Sequence, residues 1–96
     1  MYHAASLNPI TFDEIIERAN NNDLGLCSYV CTNSMEKAHR ASELMETGTV
    51  AVNTPFVAIA EAPFGGIKQA GYGREGGSMA IKDYLNVKYT HLGLKG

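Results

Sequence analysis

The sequence predicts an α/β chain organised around one βαβ unit, with flanking helices, a long loop and a terminal strand. Three observations lead there. Two short runs rich in β-branched and aromatic residues, 26–32 and 49–53, bracket a helix-length amphipathic segment. The stretch 54–77 is broken by Pro55, Pro63 and repeated glycines, which leaves little room for regular structure. Residues 87–94 alternate Val87, Tyr89, His91 and Gly93 against Lys88, Thr90 and Leu92, the period of a strand.

Taken in order, residues 1–10 carry no periodicity and Asn8-Pro9 reads as turn or extended chain, so a tail is expected there and the structured region over 11–96. Thr11 stands three residues before Glu14, the spacing of a capping box, and Asp13 and Glu14 suit the positive end of a helix dipole. Phe12, Ile15, Ile16 and Ala19 then form an apolar stripe, and Asn20, Asn21, Asn22 and Asp23 dissolve it, which predicts a helix over 12–21. A strand over 26–32 follows. Asn33 or Ser34 can cap a helix over 34–46 with Met35, Ala38, Ser42 and Met45 on one face, and Gly48 is placed for a left-handed C-terminal cap. After the strand at 49–53, the default strand-helix-strand connection is a right-handed parallel crossover. Beyond the 54–77 loop, residues 78–85 suggest a short helix capped by Ser78. The strand at 87–94 is expected to pair with the edge of another chain.

Ninety-six residues support one core at most. An apolar content of 45% with 19% charged residues excludes general disorder. The net charge is −2 and the eight Lys and Arg are dispersed singly, so nucleic acid is not an expected partner. No apolar run approaches the ~20 residues that span a bilayer, and the N-terminus lacks a leader pattern, so no membrane partner and a cytoplasmic location are expected. Cys27 and Cys31 would stand roughly 13 Å apart along a strand, beyond disulfide reach, and are expected to be reduced core thiols. Two strands with these helices cannot cover both faces of a parallel sheet, so the chain looks incomplete by its own physics.

Few residues suggest chemistry. The run 71–76, Gly-Tyr-Gly-Arg-Glu-Gly, spells GxGxxG but leaves a loop rather than a strand, and no acidic residue follows Asp83 to hold a ribose; a glycine-rich turn is the expected reading. His3, His39 and His91 lack ligand spacing, so no metal site is expected. No GxSxG string occurs, and a strand interior offers neither cysteine the cation or helix N-terminus that activates a thiolate. Arg74 is expected in a structural ion pair, and Glu75 near the dipole of the following helix. Phe56 and Phe64 bracket a loop of small and apolar residues, as pocket wall or as core anchors.

One longer run is specific. Residues 62–75, Ala-Pro-Phe-Gly-Gly-Ile-Lys-Gln-Ala-Gly-Tyr-Gly-Arg-Glu, resemble the PFGGxKxSGxGRE signature of NAD(P)-dependent aldehyde dehydrogenases, and residues 48–53 resemble their GTVxVN strand. Residues 12–26 look like the family's preceding helix and strand, and 73–89 are similar to the C-terminus of succinate-semialdehyde dehydrogenases in particular. The resemblance covers about 11–94, the last fifth or so of such an enzyme. It implies the C-terminal part of the catalytic domain, with the nucleophilic cysteine, general-base glutamate, oxyanion asparagine and Rossmann domain all upstream of the matched region. The cofactor-contacting Glu-x-Phe-Gly-Pro element is replaced by the residues of 1–7, and neither Cys27 nor Cys31 matches the catalytic position. No catalytic, cofactor-binding or metal residue is therefore implied in this chain, which alone should not oxidise aldehydes; NAD or NADP would belong to the parent enzyme. The resemblance implies that Phe64 lines the aldehyde entrance and that the 54–62 loop, with Phe56, Ala58 and Ile59, shapes the substrate pocket. Ile59 matches a serine that holds the substrate carboxylate in succinate-semialdehyde enzymes, and Ala70 replaces the motif's usual serine. The terminal strand matches the family's oligomerisation strand, implying as partners further copies of the chain or the rest of the parent enzyme. A free-standing module that binds by strand addition is the alternative.

Overall fold

A computed structural model describes residues 11–96. The expected 1–10 tail and His3 lie outside the described residues.

Helix α1, Phe12–Asn20, begins where the capping box places it. The Glu14 N–H donates to Thr11 Oγ1 at 3.2 Å and the Thr11 N–H donates to Glu14 Oε2 at 2.9 Å. Asn21 closes the helix one residue early, its N–H donating to the Glu17 carbonyl. Helix α2, Met35–Leu44, is capped by Ser34, whose Oγ accepts from the Lys37 N–H at 3.3 Å. The two helices are tied by Arg40, which lies 4.6 Å from the centre of the Phe12 ring and 2.9 Å from Asp13 Oδ1.

The strands fall into two ladders. Residues Leu24–Gly25 (β1) pair antiparallel with Ile67–Lys68 (β4), and Cys27–Val30 (β2) pair in parallel with Thr49–Val52 (β3) in the register Cys27 to Thr49 through Val30 to Val52. With α2 between β2 and β3, the βαβ unit is formed. The pairing of β1 with β4 departs from the expectation of an unbroken loop over 54–77. A side chain at Gly25 would meet Glu46 O and Ile67 Cγ1 at 2.8 Å, so the ladder exists because glycine lets the backbones close up.

Several expectations are corrected. The face of α2 turned inward centres on Ala41, which is buried, with Ala38 and Met45 half-buried; Met35 and Ser42 are exposed. Gly48 does not cap α2. That position belongs to Met45 in extended conformation, and Gly48 is glycine because a Cβ there would sit 1.7 Å from the Gly65 oxygen. The third helix is a 3₁₀ segment, Ala80–Tyr84, without a side-chain cap, so Ser78 does not serve as one. It buries no residue, and a short segment without an apolar face to pack lacks the main source of helical stability. The 54–77 stretch contains β4 and an isolated bridge between Phe64 and Glu75. Residues 85–96 join no ladder among the described residues, and the pairing expected for 87–94 is with the edge of another chain.

Alanine supplies the buried apolar core, Ala41 of α2 and Ala51 of β3, and Ser28 of β2 is the buried polar residue. Leu24, Leu26, Tyr29, Met35, Leu44, Phe56 and the apolar residues of the last segment are exposed. The described residues extend over 79 × 24 × 23 Å with a radius of gyration of 19.3 Å, against about 12 Å for a compact chain of this length. No helix among the described residues is long and apolar enough to cross a membrane.

Candidate functional site

Gly48 and the Gly-rich stretch 62–77 converge on one backbone knot. A Cβ on Gly65 would lie 2.4 Å from Gly73 O, and one on Gly66 would lie 2.6 Å from Ala70 Cβ, so three backbone segments approach at distances only glycine permits. Arg74 fastens the knot from outside. Its Nη1 donates to Gly66 O at 2.9 Å and to Gly73 O at 2.8 Å. The ion pair expected of Arg74 is thus replaced by carbonyl contacts, because Nη1 carries two N–H groups and reaches two backbone oxygens at once. Its backbone N–H donates to Asp83 Oδ2 at 2.9 Å.

Phe64 is held by its own backbone. Phe64 and Glu75 exchange both bridge hydrogen bonds at 2.7 Å, and Glu75 is occupied in this pairing rather than at a helix N-terminus. Next to it, the Gly77 N–H donates to Ala60 O at 2.8 Å and the Ala62 N–H to Ile59 O at 3.3 Å. Phe64 and Ile59 therefore lie along one clamped segment. Phe64 is half-buried and Ile59 exposed. Ala58 and Phe56 are exposed on the preceding arm, where the Phe56 N–H donates to Thr54 Oγ1 at 3.1 Å. None of these four residues lines either of two depressions on the surface. A depression of about 790 Å³ at the C-terminal ends of β2 and β3 is lined by Thr32, Ser34, His39, Ser42 and Asn53, and one of about 260 Å³ by Gly73, Arg74, Met79, Lys82 and Asp83.

The glycine string does not fit a dinucleotide. The Arg74 N–H, which a phosphate would need, already meets the Asp83 carboxylate, whose charge repels a second anion, and the segment beyond is a five-residue 3₁₀ turn. What the string does is turn the chain, with Gly71, Gly73 and Gly76 at φ of 109°, 89° and 68°.

The cysteines separate in environment. Both are free, but Cys27 is half-buried and Cys31 exposed, since β2 ends at Val30; Cys31 is not a core thiol. Tyr29 shares a strand face with Cys27, and its hydroxyl pKa is raised, first by a hydrogen bond with Cys27 and then by that group's charge. His39 lies 3.6 Å from Glu43, and His91 Nδ1 is 3.1 Å from the Tyr89 hydroxyl. Among the described residues no three His, Cys, Asp or Glu side chains are grouped as metal ligands.

Three positioning side chains escaped the sequence reading. Asn20 donates from Nδ2 to Leu44 O at 2.8 Å and accepts from the Glu46 N–H at 2.9 Å, closing the end of α2 from α1. Lys68, at φ 54°, donates from Nζ to Asn20 O at 2.9 Å and Asn22 O at 3.2 Å and pairs with Glu46, which ties the signature run to both helices. Asn53 bonds Thr32 across the end of the parallel pair. Asparagine in a terminal helical turn reads only as a helix stop, so no pattern marked Asn20.

A model of the aldehyde dehydrogenase family matches residues 6–90. The chain belongs to this family. Among characterised aldehyde dehydrogenases, the 3-sulfolactaldehyde dehydrogenase of Pseudomonas putida is 48% identical over 84% of this chain and 17% of its own length. The succinate semialdehyde dehydrogenase of Acinetobacter baylyi is 43% identical over 86% of this chain and 17% of its own. The NAD+ complex of an aldehyde dehydrogenase from Bacillus cereus superposes with a TM-score of 0.78 at 44% identity, over 81% of this chain and 16% of that one. The chain thus spans about 17% of the length of the curated aldehyde dehydrogenases it matches.

Proposed function

We propose that this chain acts as the C-terminal portion of an NAD(P)-dependent aldehyde dehydrogenase, whose parent reaction oxidises an aldehyde, with a semialdehyde as one candidate, to a carboxylate. Its own contribution is pocket wall and oligomer contact, and alone it is inactive. One observation carries the reading: the family's signature run folds into a rigid knot, while the only buried apolar side chains among the described residues are two alanines. A knot this closely fixed, on a body with so little core, serves as a wall for something larger.

Phe64 is the wall residue in this account, positioned by its bridge to Glu75, with Ile59 beside it and Ala58 and Phe56 on the adjoining arm. Isoleucine at 59 cannot donate a hydrogen bond, so this part of the wall favours the apolar portion of an aldehyde over a carboxylate. NAD or NADP belongs to the rest of the parent enzyme, because the glycine string here offers no place for it. The extended segment 85–96 presents unpaired backbone groups suited to another subunit's sheet edge. That same bare segment also supports the second reading, a free-standing module that binds by strand addition.

The test is complementation. The chain is produced with the A. baylyi succinate semialdehyde dehydrogenase truncated before the matching region, and reduction of NAD or NADP by succinate semialdehyde and by propanal is followed. The expected result is co-purification with recovered turnover, and none from either piece alone. Turnover by this chain unaided overturns the reading, and a discrete homo-oligomer that ignores the truncated enzyme favours the module.

A further inference from the structure

The last segment is attached to the body at a single polar point. Beyond Gly77, among the described residues, the one hydrogen bond that returns to the preceding chain is the Asp83 carboxylate accepting from the Arg74 N–H at 2.9 Å. The approach needs Gly73, where a Cβ would come within 2.8 Å of Asp83 Oδ2. The residue after Arg74 is Glu75, which exchanges both of its backbone hydrogen bonds with Phe64. Asp83 and Phe64 are therefore separated by one peptide unit and one bridge. The Arg74 guanidinium is committed to Gly66 O and Gly73 O, and Lys82 is the other charged residue lining the same depression.

We propose that Asp83 is a positioning residue that couples the terminal segment to Phe64, so that docking or release of 85–96 is felt at the wall of the proposed substrate pocket. The physical basis is that a carboxylate accepting a backbone N–H forms a charge-assisted bond, stronger than a neutral one, and here it holds the strand that carries half of the bridge. With the bond made, Arg74 and Glu75 are fixed against Phe64. With it lost, the bridge is left to its own two hydrogen bonds. The functional meaning rests on the reading of Phe64 as pocket wall, but the coupling itself does not.

The test is amide hydrogen exchange by NMR on the full chain, comparing wild type with Asp83→Ala and Asp83→Asn. The alanine variant should lower protection of the Phe64 and Glu75 amides about tenfold and leave the Asn53 amide, bonded to Val30 O at 2.8 Å, unchanged. The asparagine variant keeps an acceptor oxygen without the charge and should recover part of that protection. Unchanged exchange at Phe64 and Glu75 overturns the proposal, as do a loss that spreads equally to Asn53 and an asparagine variant no better than alanine. So does a wild-type chain with no protection at the bridge. None of these outcomes depends on turnover, so a failure here is distinct from a failed complementation.

Discussion

The carboxamide of Asn53 takes over where the parallel ladder of β3 stops: Oδ1 accepts from the Thr32 N–H at 3.0 Å and Nδ2 donates to the Thr32 carbonyl at 2.8 Å. Asn53 itself turns to φ 55°, a left-handed conformation asparagine tolerates better than most residues, so its side chain satisfies the two groups that its backbone leaves behind.

Asn53→Ala therefore loses both bonds and keeps the awkward backbone. Chemical denaturation should show a loss of about 1–2 kcal/mol, and Asn53→Gly, which relieves the backbone alone, should lose less. Equal losses in the two variants would mean that φ contributes nothing here.

Gly48→Ala places a methyl group 1.7 Å from a backbone oxygen that belongs to the knot. Overpacking of this kind costs about 3 kcal/mol or more, and the thermal midpoint should fall accordingly. Gly93→Ala, where no atom lies within 4 Å, is the control and should leave the midpoint in place.

Glu14 contributes a pH dependence of known sign. Its carboxylate accepts from the Thr11 N–H and then from the Thr11 hydroxyl, with Arg18 adding charge, and its pKa is lowered in the folded chain. The stabilisation is therefore complete above the ordinary carboxylate pKa of the unfolded chain and disappears as the pH falls through the lower folded value. Helix content followed by circular dichroism between neutral and strongly acidic pH should fall more steeply for wild type than for Glu14→Gln.

Cys31 should be alkylated before Cys27. One thiol stands exposed past the end of β2 and the other is half-buried within it, and peptide mapping after limited iodoacetamide treatment gives the order. Equal rates would mean that β2 opens as readily as the loop that follows it.

Local rules read the N-caps of α1 and α2 and the parallel pair well. Thr11 and Glu14 sit four residues from end to end, Ser34 needs only Lys37, and the β-branched runs of β2 and β3 announce themselves without help from distant residues. Long-range contacts were out of reach. Gly48 looked like a cap because its partner, Gly65, is seventeen positions away and nothing in the neighbouring residues signals a close approach. The β1–β4 ladder joins Leu24 to Lys68, two-residue segments too short to show a period. Of the proposed wall, the sequence resemblance pointed to Phe64, but the bridge to Glu75 that fixes it, and the carboxylate of Asp83 behind that, became visible only in three dimensions.

The two-stranded β2–β3 ladder has an outer edge on each side. In a dilute solution those edges meet only water; in a concentrated one they meet each other, because any extended backbone can extend the sheet. Purification yield, colloidal behaviour and the lifetime of this polypeptide inside a cell will therefore depend on how much of it is present at once, and a supply of whatever naturally shields those edges should act on it as a solubiliser.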